Sequence, residues 1–281
     1  SSDHRRHHRH VDDNQKDPYS AGRGFWYSHI GWMLREYQRD TYHDYSNVRD
    51  LQNNPVVAFQ HRHYLALALV TNIGIPLLLG LLHGDLLGMM LLAGVLRMVM
   101  THHTTFFINS LAHIWGSQPF TDRNSARDNG ILAFFTFGEG YHNFHHLFEN
   151  DYRNGIQWWQ FDPTKWLIRT AAWCGLAKDL RSCPEERIEQ ARLEMQLKRA
   201  QARVHQQDDR ERWQALLQEE YDKLSLQIQH YYASRKSLLE QRKRTALARY
   251  DRLRLQLEYR TLRDGFLVAK RNWSRLLAGL A

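Results

Sequence analysis

The apolar and polar positions are unevenly distributed along the chain. Leu65–Leu82 is an uncharged apolar run of 18 residues, and Leu86–Met100 is a second, continuing through Thr101–Ile108. About 20 apolar residues in a helix cross a bilayer. The two runs therefore predict a membrane hairpin over about 64–108, closed by a tight turn at His83-Gly84-Asp85. Gly74 and Pro76 are tolerated inside such a helix and are expected to kink it. Arg97 is the single charge of the second run and is expected to face protein or water rather than lipid. A buried helical hairpin of a soluble protein would read similarly, but length and flanking aromatics favour the membrane.

Before the hairpin, Asp12–Gly24 is polar and turn-rich, and Phe25–Tyr37 is short and aromatic, with Trp26, Trp32 and Tyr37 suited to a membrane interface. After it come Asn109–Trp115, a loop at Gly116–Gly130, and the segment Ile131–Leu147. Trp158–Trp173 reads as an interfacial helix lying on the membrane or packing against the layer above it. From Pro184 the pattern changes. Leu217, Tyr221, Leu224, Ile228, Tyr231 and Leu238 follow three–four spacing, with Arg235 interrupting the seam. This predicts long helices, as a helical hairpin or an imperfect coiled coil. The fold class is all-α integral membrane with a coiled-coil-like extension, split into 1–183 and 184–281.

Composition sharpens this picture. Of the 281 residues 43% are hydrophobic, yet the net charge is +8. Residues 184–281 hold 21 Lys/Arg against 14 Asp/Glu, so +7 of the charge lies there. A solvated helix face accounts for it better than a nucleic-acid site, and no nucleic-acid partner is expected. Both outer flanks of the hairpin are basic (Arg49 and Arg62 before, Arg123 and Arg127 after), which puts them on the cytoplasmic side. Cys174 and Cys183 form no disulfide framework and no C-x-x-C pattern.

The candidate chemistry is histidine. His4-Arg5-Arg6-His7-His8 and His142-Asn143-Phe144-His145-His146 share an H-x-x-H-H spacing. On a helix such positions share a face, so each copy is expected to aim three imidazoles at one point. Six nitrogens exceed what one tetrahedral zinc accepts, and the count points to two metals. A surface histidine tract binds metal adventitiously, but two copies with the same spacing argue for a built site. His113 is a candidate seventh ligand, and Asn109, four residues earlier, a candidate holder of a metal-bound water. His102 and His103 are expected to be satisfied by a neighbouring helix rather than to line a substrate path.

Gly138-Glu139-Gly140-Tyr141-His142-Asn143-Phe144-His145-His146 resembles the third histidine box of the delta-9 (stearoyl-CoA) type of membrane acyl-CoA desaturases. Asp3-His4-Arg5-Arg6-His7-His8 resembles their second box, and Asn109-Ser110-Leu111-Ala112-His113 their N-S-x-x-H segment. The loop Asp122–Asn129 and Ser28-His29-Ile30-Gly31-Trp32 fit the same pattern, and the likeness runs from about Ser2 to Asp179.

The resemblance implies four membrane helices under a cytosolic helical cap, with a di-iron centre on nine histidines. Seven have counterparts here: His4, His7, His8, His113, His142, His145 and His146. The other two belong to a first box that precedes the second. The chain is therefore expected to be a C-terminal piece, inactive alone. The implied reaction is O₂-dependent desaturation of a fatty acyl-CoA, with two iron ions. Its electrons are expected from a separate donor of ferredoxin, cytochrome b5 or reductase type. Asp3 is an implied substrate contact. The implied location is a multi-pass membrane protein with its site facing the cytoplasm, in a bacterial inner membrane rather than the endoplasmic reticulum. An acyl-lipid desaturase, a fatty-acyl hydroxylase and a membrane scaffold are the alternatives. Removing 184–281 is expected to leave the chemistry intact.

Overall fold

The computed structural model describes residues 1–35, 44–204, 209–243 and 249–280. They form two compact units: Ser1–Ser117 with Arg123–Leu180, and Gln118–Asp122 with Arg181–Ala281. Among the described residues, strand character is confined to two isolated bridges, Ser117 with Asp128 and Asp128 with Tyr141.

The first unit opens with helix α1, Ser2–Arg9. Asp3 lies in its first turn and His7, His8 and Arg9 in its last, the arrangement that suits the helix dipole. The aromatic segment that follows forms a π turn, Tyr27–Gly31, and leaves Trp26 and Leu34 exposed. Tyr37, the last of that aromatic set, lies outside the described residues.

Two long apolar helices come next: α2, Tyr64–His83, and α3, Leu86–His113. At 1.5 Å per residue, the 20 residues of α2 span about 30 Å, the thickness of a hydrocarbon core. Their leucines face outward; Leu82 and Leu87 are 77% and 72% exposed. Such exposure is unfavourable in water and ordinary in lipid. Gly84 ends α2 at φ +80, the left-handed cap glycine accommodates without strain. Asp85 then caps α3 by accepting from the Gly88 amide at 2.8 Å. The helices approach so closely that a Cβ on Gly80 would lie 2.9 Å from Leu86 Cα.

Each of these helices contains a π segment, Val70–Gly74 in α2 and Met90–Leu96 in α3. Arg97 follows the second, donating to the Ala93 carbonyl at 2.7 Å and to Asn72 Oδ1 on α2 at 2.7 Å. Arg97 itself remains exposed, and these two bonds are its contacts with protein. The second apolar helix runs past 108, so His113 sits on its last turn.

Three short helices complete the unit: α4, Gly130–Phe135; α5, His142–Leu147; and α6, Pro163–Trp173. Asn129 caps α4 by accepting from Ile131 N and Leu132 N at 3.0 Å each. Asp162, fully buried, caps α6 through Lys165 N at 2.8 Å and also accepts from Asn154 N and Gly155 N at 2.9 Å. Phe144, Ala112, Ala126 and Ala133 are buried between these elements. Trp158, Trp159 and Trp173 are exposed.

The second unit contains helices α7, Glu185–Val204; α8, Arg210–Lys243; and α9, Arg249–Ala278. Leu217, Leu224, Ile228 and Leu238, spaced by threes and fours, are all buried. They share a core with Leu193, Val204, Phe266 and Trp273, apart from Leu238. Trp273 donates its indole N–H to Gln196 at 2.9 Å, and Tyr231 meets the Tyr259 hydroxyl at 3.1 Å. Arg235 leaves the seam to pair with Glu185.

Candidate metal centre

Each box lies on a helix, and helical geometry decides how its imidazoles are shared. At 3.6 residues per turn, positions i and i+4 point about 40° apart, while i+3 points about 60° to the other side. The structure divides both triplets accordingly. His142 and His146 group with His7 and His113, while His4 and His8 group with His145. In each group the ligand atoms lie within 4.8 Å of one another. The expectation that each box converges on one point is thus corrected: each helix serves both groups.

The four-membered group is a chain of facing Nε2 atoms. His7 meets His146 at 3.2 Å, His146 meets His142 at 3.0 Å, and His142 meets His113 at 3.1 Å. In the other group His145 Nε2 lies 3.0 Å from His8 Nε2. The His4 ring sits 4.6 Å from that of His8, and its Nδ1 is 3.5 Å from the Tyr19 hydroxyl. The two groups adjoin through the stacked rings of His8 and His146, 4.3 Å apart.

Their outer nitrogens fix two tautomers. His7 Nδ1 donates to the fully buried carboxylate of Asp17, at 2.9 and 3.0 Å. His113 Nδ1 lies 2.7 Å from Ser125 Oγ, which donates to Asp12 Oδ1 at 2.6 Å. The serine proton is directed to the carboxylate, so His113 Nδ1 is the donor of the pair. In both rings Nε2 then presents a lone pair inward, as a carboxylate–histidine–metal arrangement requires. Asp12 holds its place with φ +66, a conformation aspartate tolerates better than most residues.

Burial keeps the other rings neutral. It lowers His4 and His145 to about 4 and His8 to about 2, with neighbouring histidines adding to the effect. His142 and His146 are pushed well below the ordinary histidine range for the same reason. Neutral imidazole is the form that binds metal. Among the described residues the buried Nδ1 atoms of His8, His142 and His146 make no hydrogen bond, and the nearest charged group to His8 Nδ1 is the Glu149 carboxylate at 3.7 Å.

These residues fit a pair of transition-metal ions. At metal–nitrogen distances of about 2.0–2.1 Å, neighbouring ligands at right angles are about 3.0 Å apart. The facing nitrogens stand 3.0–3.2 Å apart. All seven proposed ligands are thus brought into the two groups.

The backbone around α5 is held by glycines and a carboxylate. A Cβ on Gly140 would lie 2.2 Å from Ala133 N, and one on Gly138, at φ +108, 2.6 Å from Asp162 Oδ1. Both glycines therefore pack directly against neighbouring atoms of the fold. Asp128 accepts from Asn143 N at 2.8 Å and Phe144 N at 3.1 Å, capping α5.

The other candidates are placed differently. Asn109 lies one turn before His113, within α3. Asp3 is exposed and pairs with Arg6 at 2.9 Å. His103 meets His29 at 3.0 Å, and His29 meets Ser110 at 3.0 Å, so His103 is satisfied by a neighbouring element as expected. Asp12, Asp17 and Ser125 were not singled out by the sequence. Their partners lie 10 to 113 positions away, and no local spacing signals them.

Replacing Asp17 by asparagine should keep the shape and remove the charge that orients His7. Metal affinity should fall about 10–100-fold, the usual effect of losing such a partner. Competition against a chelator measures this, and an unchanged affinity would show that the carboxylate only packs.

The profile of the family described as "Fatty acid desaturase" matches residues 1–173. A "Probable acyl-CoA desaturase" of Schizosaccharomyces pombe is 48% identical over 199 residues, covering 70% of this chain and 41% of that protein. "Acyl-CoA desaturase 1" of Saccharomyces cerevisiae is 47% identical over 197 residues, covering 70% of this chain and 38% of that protein. A "sn-2 palmitoyl-lipid 9-desaturase" of Nostoc is 38% identical over 188 residues, covering 65% of this chain and 63% of that protein. The chain thus spans about two fifths of the length of the two yeast relatives.

Proposed function

Because this chain belongs to the fatty acid desaturase family, we propose that it forms the catalytic region of an acyl-CoA desaturase. The proposed reaction places a cis double bond, at the delta-9 position, in a saturated acyl chain, using O₂ and electrons from a separate donor protein. The observation that carries the reading is the pair of histidine groups, four and three nitrogens, built from two boxes and His113.

Two irons bound there would supply the oxidising power needed to break an unactivated C–H bond. The chain's own residues do the rest. His4, His7, His8, His113, His142, His145 and His146 offer neutral nitrogens. Asp17 accepts the hydrogen bond from His7 Nδ1, and Ser125, backed by Asp12, accepts the hydrogen bond from His113 Nδ1. Asn109, within α3, is proposed to orient a water toward the centre. α2 and α3 would carry the site on the bilayer, where the acyl chain is held away from water.

The coenzyme A thioester is proposed to dock on the cytoplasmic face, near Asp3. A hollow lined by Arg5, Arg6, Arg9 and Lys16 lies on the same helix and the loop after it. Arg5 is paired with Asp50 and Arg6 with Asp3 and Asp44, whose side chain also lines the hollow, which leaves Arg9 and Lys16 to meet the phosphates of such a substrate. The basic flanks of the hairpin support the cytoplasmic orientation. With relatives from two yeasts and from Nostoc, the reading is held at a membrane with its boxes on the cytoplasmic side, and the bacterial inner membrane is not favoured further.

A second reading, desaturation of a lipid-bound acyl chain, is favoured by the substrate after which the Nostoc relative is named. The test is the fatty-acid profile of a host producing the full-length protein in its membrane with an electron donor supplied. A new monounsaturated acid with its double bond at carbon 9 is expected. Labelled acyl-CoA given to isolated membranes separates the readings, since direct conversion of the thioester requires the first. A hydroxy acid, or an unchanged profile with the protein in the membrane, would overturn both.

A further inference from the structure

Gln118–Asp122 lies in the loop that follows α3, yet it belongs to the helical second unit. Phe120 and Thr121 are each only 6% exposed. The Arg192 guanidinium lies 5.3 Å from the centre of the Phe120 ring. Lys198 pairs with Asp122, and Arg199 donates to the Gln118 carbonyl. One face of α7 thus supplies three cations to five consecutive residues of the loop.

The residues that follow directly in the chain hold the histidines. Ser125 Oγ receives His113 Nδ1 at 2.7 Å. The Ala126 carbonyl accepts from Asn143 Nδ2 at 2.9 Å, and Arg127 N donates to the Ala112 carbonyl at 2.7 Å. Asp128 caps α5, which begins at His142. Each of these bonds fixes a neighbour of His113 or His142, or His113 itself. Both histidines belong to the four-membered group.

We propose that α7 of the C-terminal helical extension clamps Gln118–Asp122, and that this ordered stretch sets, through the continuous chain alone, the residues after it that hold His113 and α5. Phe120, Asp122 and Lys198 are then positioning residues acting through chain continuity, and none of them touches metal. The inference rests on the reading of the histidines as an iron site. It reverses the expectation that removing the extension leaves the chemistry intact. The burial of Phe120 carries most of the attachment; the Lys198–Asp122 pair is exposed and contributes less.

The test uses the membrane-embedded protein and reads iron per chain, iron affinity against a chelator, and the absorption of cobalt(II) placed in the same sites. Phe120→Ala should weaken retention at one of the two sites about tenfold, a loss in the range seen for outer partners of metal ligands. The cobalt spectrum of that site should change and the other should stay. Asp122→Lys or Lys198→Asp should each weaken retention by a smaller factor, and the double exchange should restore it. Unchanged iron affinity in Phe120→Ala, equal loss at both sites, or no restoration in the exchanged pair would each overturn the clamp. An unaltered protein that binds no iron would instead overturn the reading of the site.

Discussion

In the full-length protein, His145→Ala should abolish desaturation while leaving the protein inserted in the membrane. His145 belongs to the smaller group, whose other members are His4 and His8. Its Nε2 faces His8 Nε2 at 3.0 Å, so truncation leaves two imidazoles for one ion. The affinity lost should exceed the 10–100-fold typical of an outer partner. His142→Ala should be the milder lesion for metal retention, because three ligands remain in its group: His7, His113 and His146. Both variants should lose turnover, and only the first should drop to about one iron per chain. Iron analysis of purified protein, beside product analysis of the membranes, separates these effects. Desaturation by His145→Ala protein at the unaltered rate would sink the ligand assignment.

Gly140→Ala should be the most damaging change outside the ligands. The added methyl would sit 2.2 Å from Ala133 N, 2.6 Å from Ala133 Cα and 2.7 Å from Leu132 C. All three are backbone atoms of α4, and the Gly140 carbonyl itself accepts from Asn129 N at 2.8 Å, beside the α4 cap. No rotamer relieves the clash; α4 and the start of α5 must separate. Overpacking of this kind costs about 1–3 kcal/mol where side chains yield, and more where only backbone can move. His142 lies two residues on, so the iron site should loosen with the fold. Thermal melting and iron content should fall together. A melt unchanged from that of the parent protein would mean that the two helices do not touch as described.

Much of this was readable in the sequence because the signals are local. An apolar run declares a membrane helix by its length, and Leu65–Leu82 did so without help from tertiary structure. The box histidines were legible for the same reason, since repetition of one spacing marks a purpose. What the spacing did not convey was the sharing. Sequence separations of three and four both mean one face, and only the angular difference between them sends His7 and His145 to different neighbours from those of their triplet companions. The carboxylates that orient the ligands were not legible. Asp12 meets Ser125 across 113 positions, a pairing created by the fold alone. The loop Gly116–Gly130 read as one stretch of turn residues, but Gln118–Asp122, with Phe120 buried, belongs to a different unit from the residues on either side of it.

The contact between Arg97 and Asn72 has a consequence for biogenesis. A lone arginine at the centre of a spanning helix adds about 2.5–3.5 kcal/mol to the cost of membrane integration. Arg97 lies 11 residues into α3, and its guanidinium is met by an amide from α2 and a carbonyl of its own helix. The amide partner is synthesised first and joined by a turn of two residues, Gly84 and Asp85. Because that partner is already made when α3 leaves the ribosome, the two helices are expected to enter the bilayer as a pair rather than one after the other.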